Sequence, residues 1–156
     1  MKGIAIIGLS RSGKSSFGHE LAEALDTACT DTGDLIRQAM HDVTGAPLSK
    51  LESRDEETRK ALYAWARNQC DGDEAYWFRE ALKLGLIVAG IRAREELEAA
   101  RPLLMLTIWI ERPQAARSST DRLYSSDADI VVNNNGHILK LGAMARLLAG
   151  GIRSWI

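Results

Sequence analysis

Cysteine and proline are scarce: Cys29 and Cys70 are the two cysteines of a 156-residue chain, and there are 3 prolines. Two thiols so far apart exclude a disulfide framework or a cysteine-based zinc site. The expectation is reduced thiols in a cytoplasmic protein. The 3 histidines, His19, His41 and His137, are isolated and lack the spacing of a metal ligand set. An excess of positive charge is missing as well. The formal net charge is −1, so no broad basic field would attract nucleic acid, although a local group of arginines could still hold a small anion. The longest apolar run, residues 103–110, is interrupted by Thr107 and is far too short to span a bilayer. Met1 leads straight into the first apolar segment with no leader-like stretch. Neither a membrane nor a nucleic acid is therefore expected as a partner. A chain of this length makes a single domain, 1–156, that buries roughly 70% of its unfolded surface.

What the chain does contain is a phosphate-binding loop, Gly8-Leu9-Ser10-Arg11-Ser12-Gly13-Lys14-Ser15. Before it, Gly3-Ile4-Ala5-Ile6-Ile7 has the short, β-branched, apolar character of a strand buried on both faces. After it, Phe17, Leu21 and Leu25 recur at i, i+4 and i+8, which predicts an amphipathic helix. The motif thus lies between strand and helix, where its mechanism needs it. Glycines let backbone N–H groups curl around phosphate oxygens, and the helix start adds its positive dipole end. Ser10, Arg11, Ser12, Gly13, Lys14, Ser15 and Ser16 are the expected ATP-binding residues. Lys14 would reach the β- and γ-phosphates, and the Ser15 hydroxyl would hold Mg²⁺, the expected cofactor.

Further along, strand-like and helix-like segments alternate. Strands are predicted at 27–32, 84–89, 103–110 and 130–132, and helices from about 35, 62, 74, 94 and 138 onward. Gly45-Ala46-Pro47 and Asp71-Gly72-Asp73 read as breaks, Pro102 as a helix stop, and the charged stretch 49–60 as a solvated helix or loop. Such alternation predicts an α/β fold: three layers, α/β/α, around a five-stranded, mainly parallel sheet. Ligands then bind at the carboxyl ends of the strands.

At the end of the second strand stands Asp31-Thr32-Gly33-Asp34-Leu35-Ile36-Arg37. This segment resembles the Thr-Gly-Asp-x-x-Arg of nucleoside monophosphate kinases. The resemblance implies that Thr32 and Arg37, with Asp31 beside them, grip an acceptor mononucleotide. Independently of it, Arg37 lies one helical turn past a strand end, where a guanidinium can take a phosphate bidentately. The third strand leads into Gly90-Ile91-Arg92, followed by Glu95 and Glu96. The Arg-x-x-Glu spacing and small size look like the phage-type deoxynucleoside monophosphate kinases, which implies an acceptor-phosphate role for Arg92 with Glu95 nearby. The sequence departs from that pattern at Ala89, where those enzymes commonly carry an aspartate that organises the Mg²⁺ waters. Asp31, on the neighbouring strand, is the candidate to take over.

The polar segment 112–127 carries Arg112, Arg117 and Arg122 at spacings that share no helical face. The resemblance implies a short lid whose arginines, Arg117 and Arg112 ahead of Arg122, neutralise the transferred group. Trp65 and Tyr76-Trp77-Phe78 are read either as core packing or as a wall for the acceptor base, with Trp77 the best placed. Asp127 to Gly136 is similar to the closing segment of small P-loop kinases near adenine, and an Asn/Gly turn explains the same residues.

The expected activity is transfer of the γ-phosphoryl group of ATP to a (deoxy)nucleoside monophosphate. An anionic acceptor needs no general base, and the chain offers arginines with no Asp/His base pair. Two alternatives remain open: a kinase with a hydroxyl acceptor, using Asp31 or Asp34 as base, and a nucleotide-binding regulator without catalysis. Small-molecule nucleotides are the expected partners. Monomer and homodimer both stay open, with residues 152–156 a candidate contact patch.

Overall fold

The computed structural model describes residues 2–156; Met1 lies outside them. Strand β1 (Gly3–Ile7) is buried along its whole length, and its side chains alternate between two cores. Ile4 and Ile6 point into one, with Phe17, Leu21, Ile108, Ile110 and Leu141. Ala5 and Ile7 point into the other, with Phe78, Val88, Leu97 and Trp109. Each buried isoleucine contributes about 1.5–3 kcal/mol relative to exposure. The sheet also contains β2 (Cys29–Asp31), β3 (Ile87–Ala89), β4 (Leu104–Glu111) and β5 (Ile130–Asn133), in the order β2-β3-β1-β4-β5. All four pairings are parallel, so the sheet is wholly rather than mainly so.

Helix α1 (Lys14–Leu25) follows the phosphate loop and buries Phe17, Leu21 and Leu25, the stripe expected from the sequence. It packs on the first core together with α7 (Ile138–Ile152). The second core is covered by α5 (Tyr76–Leu82) and α6 (Arg94–Ala100). Helices α2 (Thr32–Thr44), α3 (Leu48–Leu51) and α4 (Glu56–Gln69) rise beside the carboxyl end of β2.

Several boundaries differ from the sequence reading. The third strand was expected from residue 84, but it begins at Ile87: Leu84 is exposed, and Gly85 lies so close to the Ala28 carbonyl that no side chain fits there. The second strand ends at Asp31, whose carboxylate accepts from the Gly33 N–H at 2.8 Å and so starts α2 at Thr32. The charged stretch 49–60 is neither all helix nor all loop. Asp55 caps α4 by accepting from the Thr58 N–H at 2.8 Å, and Glu56 and Glu57 occupy the first turn, where the helix dipole favours them. Helix α6 does end at Ala100, ahead of Pro102 as expected, and Pro102 sits in a 3-10 turn, Arg101–Leu103, at a position that needs no N–H donor.

Candidate active site

The phosphate loop is curled before any ligand arrives. Arg11 holds a left-handed conformation (φ 62°), and Gly13 (φ 98°) forms the left-handed cap from which α1 departs. A non-glycine residue in that region stores on the order of 1 kcal/mol or more, held by the surrounding contacts. One such contact is Asn134, just past β5, whose side-chain amide donates to the Ser12 carbonyl at 2.8 Å. Lys14 is 7% exposed, and its Nζ donates to the Leu9 carbonyl at 2.6 Å. Burial first, then repulsion from Arg92, pulls its pKa down to about 8, against the attraction of Asp121 and Asp31.

A cavity of about 510 Å³ opens from this loop between the ends of β2 and β3 and helices α4 and α5. Seven cationic side chains line it: Arg11, Lys14, Arg37, Arg54, Arg59, Arg92 and Arg112. Three carboxylates face it, those of Asp31, Glu74 and Glu96. An excess of guanidinium groups in one hollow suits a ligand with several negative charges. Tyr63, Trp77 and Phe78 form its apolar wall.

Of the expected ATP-binding residues, Ser10, Arg11, Gly13, Lys14, Ser15 and Ser16 line this cavity, and Ser12 lies buried behind it. Thr32 is buried against Gly90, at the exit of β3. Arg37 lies within the cavity, paired with Asp34 at 2.7 Å, and its buried Nε has no partner among the described residues. Gly33 makes room for this, because a methyl group there would come within 3.3 Å of an Arg37 nitrogen. Trp77 both packs against α4 and lines the cavity. Its Nε1 donates to the Ala66 carbonyl at 3.1 Å and its ring packs 6.1 Å from Trp65, while the remaining edge lines the cavity.

Two expected residues, Arg117 and Glu95, are placed differently. Arg117 does not line the cavity. Its Nη1 donates to the carbonyls of Asp121 (2.9 Å) and Leu123 (3.0 Å), and its guanidinium stacks 4.2 Å over Tyr124. Those bonds fold the segment 112–127 on itself, so Arg117 shapes that segment. Glu95 is exposed, whereas Glu96 faces the cavity and accepts from the N–H groups of Arg92 (3.2 Å) and Ala93 (3.3 Å). Burial pushes the Glu96 carboxyl up, against those two N–H groups. Arg122 is exposed and does not line the main cavity, whereas Arg112 does, donating to the Arg11 carbonyl at 3.2 Å.

The residues present suit a magnesium ion held mainly by phosphate and water. Among the described residues no group of three or more His, Cys, Asp or Glu could hold a metal alone. Mg²⁺ bound with nucleotide needs few protein ligands, all of them oxygen. The exposed Ser15 hydroxyl makes a long contact, 3.4 Å, to Asp31 Oδ2. Asp31 pairs in register with Ala89, so its carboxylate stands one strand away from the position where the sequence lacks one.

Sequence reasoning missed Asp121, Arg54, Arg59 and Glu74. The two arginines sit in a charge-rich stretch whose composition reads as surface, and their direction depends on how α4 packs. Asp121 is buried in the lid segment and meets Ser10, 111 residues away, so no local spacing could have revealed it. Burial alone would push its carboxyl up, but N–H groups of Ser118 and Ser10 and the Arg92 charge hold it below the usual carboxylate range.

No model of a known protein family matches this sequence, and none of the curated proteins does. Solved structures do. Shikimate kinase from Acinetobacter baumannii, in complex with shikimate, aligns with a TM-score of 0.57 at 18% identity, over 99% of this chain and 92% of that one. Shikimate kinase from Aquifex aeolicus aligns with a TM-score of 0.54 at 16% identity, over 99% and 98%. A gluconokinase from Sinorhizobium meliloti gives 0.53 at 13% identity, over 97% and 93%. At such identities the likeness concerns architecture: the chain has the α/β fold of the P-loop kinases, a five-stranded parallel sheet with helices on both sides.

Proposed function

We propose that the chain is an ATP-dependent kinase that phosphorylates a (deoxy)nucleoside monophosphate to the diphosphate. The observation that carries this reading is that Lys14, Arg37 and Arg92 open onto a single cavity with an aromatic wall. The phosphate loop takes the triphosphate, and Lys14 exchanges the Leu9 carbonyl for phosphate oxygens. Ser15 would hold Mg²⁺, which would further neutralise the β- and γ-phosphates. Arg37, still short of one partner at Nε, holds the acceptor phosphate; Arg92, tied to Ser10 of the phosphate loop, meets both that phosphate and the γ-phosphate of ATP, while Trp77 lies against the acceptor base. The acceptor oxygen is already anionic, so alignment and charge neutralisation suffice.

A hydroxyl acceptor would need a carboxylate free to take a proton. Of the carboxylates that face the cavity, Asp31 holds the Gly33 N–H through Oδ1 and has a long 3.4 Å contact from the Ser15 hydroxyl at Oδ2, Glu74 is paired with Arg67, and Glu96 Oε2 accepts from the N–H groups of Arg92 and Ala93. The Asp34 side chain is 80% exposed, bound to Arg37 and outside the cavity lining. These engagements favour the phosphate acceptor.

The reading is tested by steady-state kinetics of Arg37→Ala. The acceptor KM should rise about tenfold or more, the loss of one charge-assisted bidentate contact, with the ATP KM changed less than about twofold. Equal effects on both substrates would contradict the acceptor site.

A further inference from the structure

The lid segment carries a buried acid that touches both halves of the cavity. Asp121 Oδ2 accepts from the Ser10 N–H (3.2 Å) and Ser10 Oγ (3.1 Å) on the phosphate loop. The same oxygen accepts from the Ser118 N–H and hydroxyl, both at 3.0 Å. Its other oxygen, Oδ1, is left for Arg92 Nη1 at 3.2 Å. The Asp121 side chain is 3% exposed and that of Arg92 31%.

A buried carboxylate is costly unless its hydrogen bonds are complete, and close to a phosphate site it also repels the ligand. Its presence therefore needs a compensating gain. Arg92 supplies the reason. Its three side-chain hydrogen bonds all leave from Nη1, to Asp121, Ser10 Oγ and Thr120 Oγ1. Its backbone is pinned as well, the N–H by Glu96 and the carbonyl by the Arg122 N–H at 2.9 Å. One edge of the guanidinium is thus anchored; the other, Nη2 and Nε, carries no hydrogen bond among the described residues, and the residue lines the cavity. A fork held in this way loses little freedom when it meets a phosphate.

We propose that Asp121 is a positioning residue that clamps Arg92 and the Ser10 turn of the phosphate loop into one rigid unit, so that the lid prepares the site for a polyphosphate. This deepens the reading of the cavity as a phosphate-transfer site and rests on it. Neither Ser10 nor Arg92 can be aimed by its own segment alone. The first sits on a turn and the second just past a strand end, and 82 residues of chain separate them.

The test is a double-mutant cycle read by titration calorimetry, with a non-hydrolysable ATP analogue and Mg²⁺ as the probe. Asp121→Asn keeps the shape and removes the charge. It and Arg92→Ala should each weaken binding about fivefold or more, and the double variant should be within about twofold of Arg92→Ala alone. Additive losses would make Asp121 a structural residue only. Unchanged or tighter binding by Asp121→Asn would make the carboxylate a competitor of phosphate. Either result overturns the proposal. Should Asp121→Asn fail to fold, Ser118→Ala replaces it. It removes one anchor of Oδ2 outside the cavity and should weaken binding only when Arg92 is present; no weakening, or equal weakening without Arg92, contradicts the clamp. The probe contains no acceptor, so absence of turnover with every mononucleotide would sink the proposed activity and leave this cycle readable.

Discussion

Lys14 is a charge held where charge is expensive. Its pKa near 8 against an ordinary 10.5 means that the folded, ligand-free protein binds fewer protons than the unfolded chain between those values. Stability should therefore rise as pH climbs from about 8 to about 10.5, and below 8 the full burial cost is present. A shift of this size corresponds to roughly 3–4 kcal/mol. Lys14→Met keeps the stem and removes the charge. Without ligand it should melt roughly 5–10 °C higher at pH 7, lose the rise above pH 8, and transfer no phosphoryl group. Calorimetric melts across pH, with an assay of ADP formation, check this. An unchanged melting point would mean the ammonium is well solvated in the loop. Lys14 and Ser15 were legible in the sequence because their roles follow from spacing within eight residues. Asp121 and Asn134 were not, because each acts across more than a hundred residues of chain.

The junction of β2, α2 and the exit of β3 depends on close packing between backbones. Gly90 holds φ at 101°, and a methyl group there would run into the Thr32 hydroxyl and come within 3.1 Å of the Thr32 nitrogen. Gly90→Ala combines left-handed strain with that clash and should destabilise by on the order of 2–3 kcal/mol. Because Thr32 starts α2, the acceptor KM should rise along with it, while affinity for the ATP analogue stays near normal. A denaturant melt and steady-state kinetics check both effects; an unchanged melt would show that the β3 exit is free to move. Strand β1 and helix α1 were readable because local period and burial agree there. The second and third strands were overextended in the reading because apolar residues such as Leu84 lie beyond the residues paired in the sheet. The Thr-Gly-Asp-x-x-Arg segment was readable as a motif. Its working detail was not, since the room that Gly33 gives Arg37 is a tertiary fact.

Taken as one body, the protein brings loops from four strand ends to a single cavity. The order β2-β3-β1-β4-β5 sets the ends of β1, β2 and β3 side by side, and the segment after β4 returns across them through Asp121. That topology follows from strand–helix alternation, and it was legible as a fold class. The side of the sheet on which each arginine emerges was not, as Arg117 illustrates by stacking on Tyr124 instead of facing phosphate. The central claim is that two polyanions meet in this cavity and exchange a phosphoryl group without a base. Phosphorus NMR of the enzyme with Mg²⁺-ATP and a mixture of nucleoside monophosphates, shikimate and gluconate shows directly where the group goes. The expected result is that the nucleoside monophosphate resonance shrinks in step with ATP, with two diphosphates formed per ATP consumed. A phosphate monoester on a hydroxy acid, or inorganic phosphate alone, would contradict it.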